Sequence, residues 1–200
     1  MYIKRIILNV VILISIILSP IYSNKRQAYQ EVEFGLLSFL NTNRNFFHKY
    51  WKQDWGAEGF FIIPFYQGVL QAGVQYNSYR NIYPTFVPFE TIYIYFGWGK
   101  EFKINHKIRC IPAIHLGNVI MLFERPANRP DIPSYIYDME QELGIRLQFE
   151  ASYCLYKNLR YIMNFNYNII YLNRKIELNF LSAGLSYTFT MPEWLRGFIR

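Results

Sequence analysis

The stretch Ser182-Ala183-Gly184-Leu185-Ser186-Tyr187-Thr188-Phe189 alternates small or polar residues with apolar ones and ends in two aromatics spaced by two. Successive side chains of a β-strand point to opposite faces, so this stretch describes a strand with one wet face and one apolar face. A soluble sheet can carry such a strand as well. What decides the fold is whether the rest of the chain supplies partners for it.

Composition narrows the classes. Of 200 residues, 52% are hydrophobic and 20% aromatic, led by 18 Tyr and 17 Phe. Soluble cores seldom need so many tyrosines, whereas membrane interfaces recruit Tyr and Trp because one end of each prefers hydrocarbon and the other water. A mean hydropathy of +0.01 excludes a bundle of transmembrane helices and suits a barrel whose two strand faces average out. The net charge of +7 is spread over turns and loops, which argues against a nucleic-acid partner. It fits ordinary solvated loops first, with an attraction to anionic lipid headgroups as the second reading.

Residues 1–23 read as a secretory signal peptide. Lys4 and Arg5 form the positive region, Ile6 to Leu18 is an apolar run, and Pro20 precedes a small residue, Ser23, at a plausible cleavage point. The competing reading is an N-terminal anchor, but the run is shorter than the roughly 20 residues of a spanning helix. Export is the expectation.

Beyond Gln30 the chain falls into eight alternating segments: 31–40, 57–63, 69–79, 90–99, 108–123, 139–153, 160–172 and the closing one after Lys175. The second is apolar on both faces, with Asn41 to Gly56 before it as a loop. The fifth carries Pro112, which lacks a ladder donor. The sixth alternates most strongly, with Leu143, Ile145, Leu147, Phe149 and Ala151 against Glu142, Gly144, Arg146, Gln148, Glu150 and Ser152. Cys154 to Leu159 turns the chain into the seventh. Each segment is long enough to cross a bilayer when tilted, and most connections alternate between short and long.

A soluble lipocalin-like barrel would show the same alternation with its apolar face turned inward. Three features favour the membrane. Aromatics gather at strand ends (Tyr76, Tyr79, Trp98, Tyr153, Tyr171, Tyr187 and Phe189), as interfacial girdles require. The polar face of the sixth segment mixes both charge signs. Polar faces elsewhere are rich in Gly, Asn, Gln and Ser with few lysines, which suits a packed interior.

Together the signal peptide, the eight segments and the terminal Ser-x-Gly-x-x-Tyr-x-Phe pattern resemble the small OmpA/OmpX-type and OmpW-like bacterial outer-membrane barrels, over nearly the whole mature chain. The resemblance implies an all-β, eight-stranded, antiparallel up-and-down transmembrane barrel over residues 24–189, in the outer membrane of a Gram-negative cell. It further implies that Ser182, Gly184, Tyr187 and Phe189 form the signal read by the barrel-assembly machinery, usually at the very C-terminus. Here Thr190 to Arg200 follow it.

A barrel of this size is filled by side chains. The residues expected inside are Glu33, Gln71, Gln75, Arg109, Glu142, Arg146, Glu150, Arg160, Asn164 and Asn166, pairing buried charge so that a polar lumen costs little. Trp98, Trp194 and Phe198 are the expected interfacial anchors. The tail 190–200 reads either as a short amphipathic helix at the periplasmic interface, with Thr190 at its start, or as a frayed end. The first loop interleaves Phe46, Phe47, Tyr50, Trp51 and Trp55 with Arg44, His48, Lys49 and Lys52, which suits lipopolysaccharide phosphates on the outer leaflet or simple solvation. Cys110 and Cys154 fall on opposite faces, which disfavours a disulfide.

The expected roles are membrane scaffolding, surface contact or narrow passage of solutes, with outer-membrane lipids as partners and no cofactor. A lipid A deacylase-like enzyme is the catalytic alternative. That family carries His-x-Ser-Asn, and this chain has His115-Leu116-Gly117-Asn118, with glycine in place of the nucleophile. The three histidines show no metal-ligand spacing. A non-enzyme is expected.

Overall fold

The computed structural model describes residues 30–43, 46–65, 68–123, 139–171 and 175–191. Residues 1–29 with the expected signal peptide, residues 124–138, and the expected C-terminal helix with Trp194 and Phe198 lie outside the described residues.

In chain order the elements are β1 (Glu31–Asn41), the single-turn helix α1 (Phe47–Tyr50), β2 (Trp51–Phe65), β3 (Gly68–Asn81), β4 (Phe89–Gly99), the two-residue β5 (Phe102–Lys103), β6 (Ile108–Phe123), β7 (Glu140–Tyr156), β8 (Leu159–Tyr171) and β9 (Ile176–Thr190). Every pairing is antiparallel. Consecutive long strands are neighbours, β4 pairs directly with β6, and β9 returns to β1. Eight long strands thus close a ring, and β5 adds two pairs to β6 at the rim. Closure leaves none of the eight as an open edge, the condition under which a sheet survives in hydrocarbon.

The opening stretch lies in β9, whose ladder to β1 runs from Glu31 opposite Thr190 to Asn41 opposite Phe180. Met191 N donates to Gln30 O at 2.9 Å, continuing the ladder by one rung. Thr190 is therefore a strand residue. Gly184 stands opposite Leu37, and a Cβ there would collide with the Leu36 carbonyl oxygen and approach Leu37 Cα to 2.8 Å. At the glycine of the closing pattern the seam leaves no room for a side chain.

Side-chain direction settles the ambiguity left by alternation. Leu36, Ile94, Phe96, Leu116, Leu147, Phe165 and Leu185 face outward and are 44–60% exposed, whereas Glu33, Glu58, Arg109, Arg146 and Glu150 face inward at 4% or less. A soluble barrel has the reverse arrangement. Each outward Leu or Phe gains about 1.5–3 kcal/mol by leaving water, so this exterior matches hydrocarbon.

Four expectations need correction. β2 begins at Trp51, six residues before the expected start, because its first part pairs with the end of β3 (Lys52 opposite Arg80) where both strands rise past the apolar band. There Lys52, Asp54 and Trp55 are all exposed, so alternation in polarity is lost, and a register shift between Gln53 and Trp55 blurs it further. Pro112 does not interrupt β6. Its carbonyl accepts from Lys100 N at 3.0 Å, so its nitrogen faces the same neighbour, just past the last β4–β6 pair, Gly99 with Ala113. The turn after β7 is Lys157-Asn158, tighter than expected, with Lys157 at a φ of 36°. Tyr79 points inward at 2% exposure and belongs to the core rather than to a girdle, while Tyr76, Tyr153, Tyr171, Tyr187 and Phe189 do face outward.

Gly184→Val is expected to disturb the β9–β1 seam by roughly 1–3 kcal/mol, the usual cost of overpacking. Unboiled gel migration after refolding into lipid vesicles measures it: the variant should show less of the fast-migrating folded band, and an unchanged band would remove the seam role of Gly184.

Candidate functional site

The interior is stratified, and its layers follow from which residues the register brings level. Nearest the short-turn end, β6 supplies Arg109. Its guanidinium binds both oxygens of Glu33 on β1 at 2.6 and 2.9 Å, reaches Glu150 on β7 at 2.8 Å, and donates to Ser152 Oγ at 3.1 Å. Ser186 on β9 donates to Glu33 at 2.6 Å, and Glu101 lies 3.7 Å from Arg109. A forked guanidinium between two carboxylates is the geometry in which Arg outperforms Lys.

The middle layer centres on Arg146 of β7, which has no solvent exposure. It donates to Glu58 at 2.9 Å, to Asn168 at 3.2 Å and to Gln75. Its guanidinium carbon sits 4.8 and 4.3 Å from the ring centres of Tyr93 and Tyr95, and the Tyr95 hydroxyl donates to Glu58. The aromatic faces add cation–π attraction where no water competes. Small residues make room for these rings: a Cβ on Gly117 or Gly144 would come within 2.7 or 2.8 Å of the Tyr93 ring. Beside this layer His115 Nε2 donates to Gln71 at 2.6 Å.

Toward the loop end the filling is aromatic. Phe47 of α1 packs on Tyr79 at 5.2 Å and on Phe89 at 6.0 Å, and Tyr79 stacks on Phe89 at 4.9 Å. Phe39 meets Phe180 edge-on at 5.3 Å. Trp51 Nε1 donates to Val87 O at 2.9 Å, tying the β3–β4 loop to the base of β2.

Of the ten residues expected inside, Glu33, Gln71, Gln75, Arg109, Arg146, Glu150, Asn164 and Asn166 are buried, and Glu142 and Arg160 are half-buried at opposite ends of the barrel. Glu58, Tyr93 and Tyr95 were missed as members of the charged layer. Glu58 was legible in principle as the inward acid two residues from Gly56 and from Phe60, once β2 is drawn at its true length. The interior is also less polar than expected: Leu37, Phe39, Ile111, Ile162, Leu178 and Phe180 point inward. Ser182 and Gly184 face the interior, Tyr187 and Phe189 the exterior, and Trp98 faces outward one residue before the end of β4. Both cysteines are free. Among the described residues no group of His, Cys, Asp and Glu has the spacing to hold a metal.

The same closed ring occurs in known structures. The Neisserial surface protein NspA superposes with a TM-score of 0.57 at 13% identity, over 82% of this chain and 100% of that one. OprG from Pseudomonas aeruginosa superposes with a TM-score of 0.50 at 10% identity, over 81% of this chain and 97% of that one. In fold, the chain resembles the small outer-membrane barrels. No protein-family model and no curated protein matches the sequence.

Removing Glu58 strands Arg146 without its carboxylate, and breaking a buried pair costs about 3–5 kcal/mol. Glu58→Ala should therefore unfold at clearly lower urea in vesicles, whereas replacing both partners (Glu58→Leu with Arg146→Met) should recover most of the loss. Asp54→Asn, which breaks the exposed 3.0 Å pair with Arg80, should cost less than about 1 kcal/mol. Equal losses at positions 58 and 54 would contradict the assigned roles.

Proposed function

We propose that this chain is an integral outer-membrane protein whose barrel is sealed and whose loop end is its contact surface. The packed interior carries the reading. Solvent reaches none of Arg146, His115 and Glu150. A gap of about 20 Å³ beside Gln75, Asn77, Tyr93 and Asn168 has room for about one water molecule. A conducting barrel needs a continuous water column instead.

Sidedness follows from the connections. The segment Lys100–Lys107, the Lys157-Asn158 turn and the ends of the described barrel at Gln30 and Met191 lie at one end, and α1 and residues 82–88 lie at the other. In barrels of this size the turn end is periplasmic and the loop end external. At that external end Tyr50 packs on Phe46 at 4.7 Å and on Phe86 at 4.4 Å, with His48 and Lys49 in the same helical turn. Rings beside cations suit the phosphates and sugars of lipopolysaccharide, the partner proposed for this surface. The protein is read as non-catalytic. His115, the histidine of the deacylase-like tetrapeptide, is bound to Gln71 inside the sealed barrel rather than at the external rim.

Planar-bilayer recording tests the central point. Purified protein should insert without stepwise current, and steps whose ion selectivity changes in Arg146→Met would overturn the sealed-barrel reading.

A further inference from the structure

The outer wall of a barrel is convex, yet this one carries an apolar groove of about 370 Å³ lined by Trp98, Pro112, Ile114, Leu147, Phe149 and Phe165, among others. Its position follows from two register rows. Trp98 stands opposite Ile114, which stands opposite Leu147; Pro112 stands opposite Phe149, which stands opposite Phe165. Pro112 gives β6 a low floor between the Trp98 bank on β4 and the aromatic bank on β8. The groove starts beside Trp98, one residue before the end of β4, and climbs obliquely to the middle of β7 and β8.

Directly on its turn-end side lies the segment Lys100–Lys107 carrying β5, with Phe102 opposite Cys110, two residues below Pro112 on the same face. The exposed charged side chains of this segment and of the β7–β8 turn are Lys103, Lys107 and Lys157, with His106 beside them. Glu101, the acid of the segment, is turned toward Arg109 at 3.7 Å and Lys103 at 4.0 Å. Cys154 N donates to Lys107 O at 2.8 Å, which joins the two turns into one rim.

We propose that this groove and rim bind an anionic phospholipid of the inner leaflet, its acyl chain lying in the groove and its phosphate on Lys107 and Lys157. The distances agree with such a molecule. Pro112 lies five positions beyond Lys107, about 17 Å of chain at about 3.3 Å per residue, or about 13 Å along the membrane normal at a tilt of about 40°, within the half of the roughly 30 Å hydrocarbon core that one acyl chain spans. Hydrocarbon recognises the groove, and the cationic rim selects the headgroup, each lysine favouring an anionic surface by about 1 kcal/mol. The inference rests on the reading of the chain as a membrane barrel. That reading is checked separately by heat-modifiable migration of each protein used.

The test uses the full mature protein in phosphatidylcholine vesicles doped with acyl-chain spin-labelled phosphatidylglycerol or phosphatidylcholine, reading the motionally restricted fraction. Wild type should favour phosphatidylglycerol about fivefold or more, the factor expected of one lysine. Lys107→Glu with Lys157→Glu should abolish that preference, and Ile114→Trp, which fills the groove, should lower the restricted fraction for both lipids. Equal association of the two lipids with wild type, or an unchanged restricted fraction in Ile114→Trp with its folded band intact, overturns the proposal. A cross-linked dimer that Ile114→Trp abolishes also overturns it, by assigning the groove to a second copy of the chain.

Discussion

No backbone amide or carbonyl can go unpaired in hydrocarbon, and the β9–β1 ladder is where this chain meets that requirement. Until Thr190 stands opposite Glu31, two edges are open. Once they are joined, the ring fixes which residues face inward, and alternation then dictates all else: an exterior of Leu, Ile and Phe, and an interior that must neutralise every charge it encloses. Gly184 sits at this seam because a side chain there would push the two strands apart.

Charge in such an interior is tolerable only when it is shared. Arg109 and Arg146 serve different layers through the same device, a planar guanidinium with several carboxylate or amide acceptors at 2.6–3.2 Å. Tyr93 and Tyr95 add ring faces above Arg146, and the glycines of β6 and β7 make space for them. Above that layer the filling turns aromatic, with Phe47, Tyr79 and Phe89 packed on one another. On the proposed reading of a sealed interior, the two rims and the outer wall are the surfaces on which the protein acts.

Much of this was readable in the sequence because a strand of a membrane barrel is written in period two. From β3 through β9 the expected and observed long strands agree to within a few residues, the two-residue β5 falling in what reads as a charged turn, and most of the expected interior residues fell on the buried face. Legibility failed where the physical contrast between faces fails. The start of β2 stands in water on both sides, so Lys52, Asp54 and Trp55 carried no alternating signal, and Glu58 went unrecognised with it. Pro112 looked like an interruption because its position past the last β4 pair depends on where another strand stops. Inward aromatics such as Tyr79 looked like girdle residues, since a tyrosine near a strand end carries no mark of the face it will occupy. The groove on the wall arises from four strands in register and is invisible to any single one.

The reach of Arg109 bears on how the barrel can form. Its partner Glu33 is 76 residues away on the first strand, and Ser186, which completes the cluster, is on the last. No partial sheet of consecutive strands that omits β1 can satisfy Arg109 and Glu150 together with Glu33. An open sheet keeps the Arg109–Glu150 contact between β6 and β7 but leaves Glu33 without its guanidinium, at a cost of several kcal/mol. The interior charges thus favour the closed ring, where Glu33 meets Arg109 and Ser186, over any sheet that lacks β1.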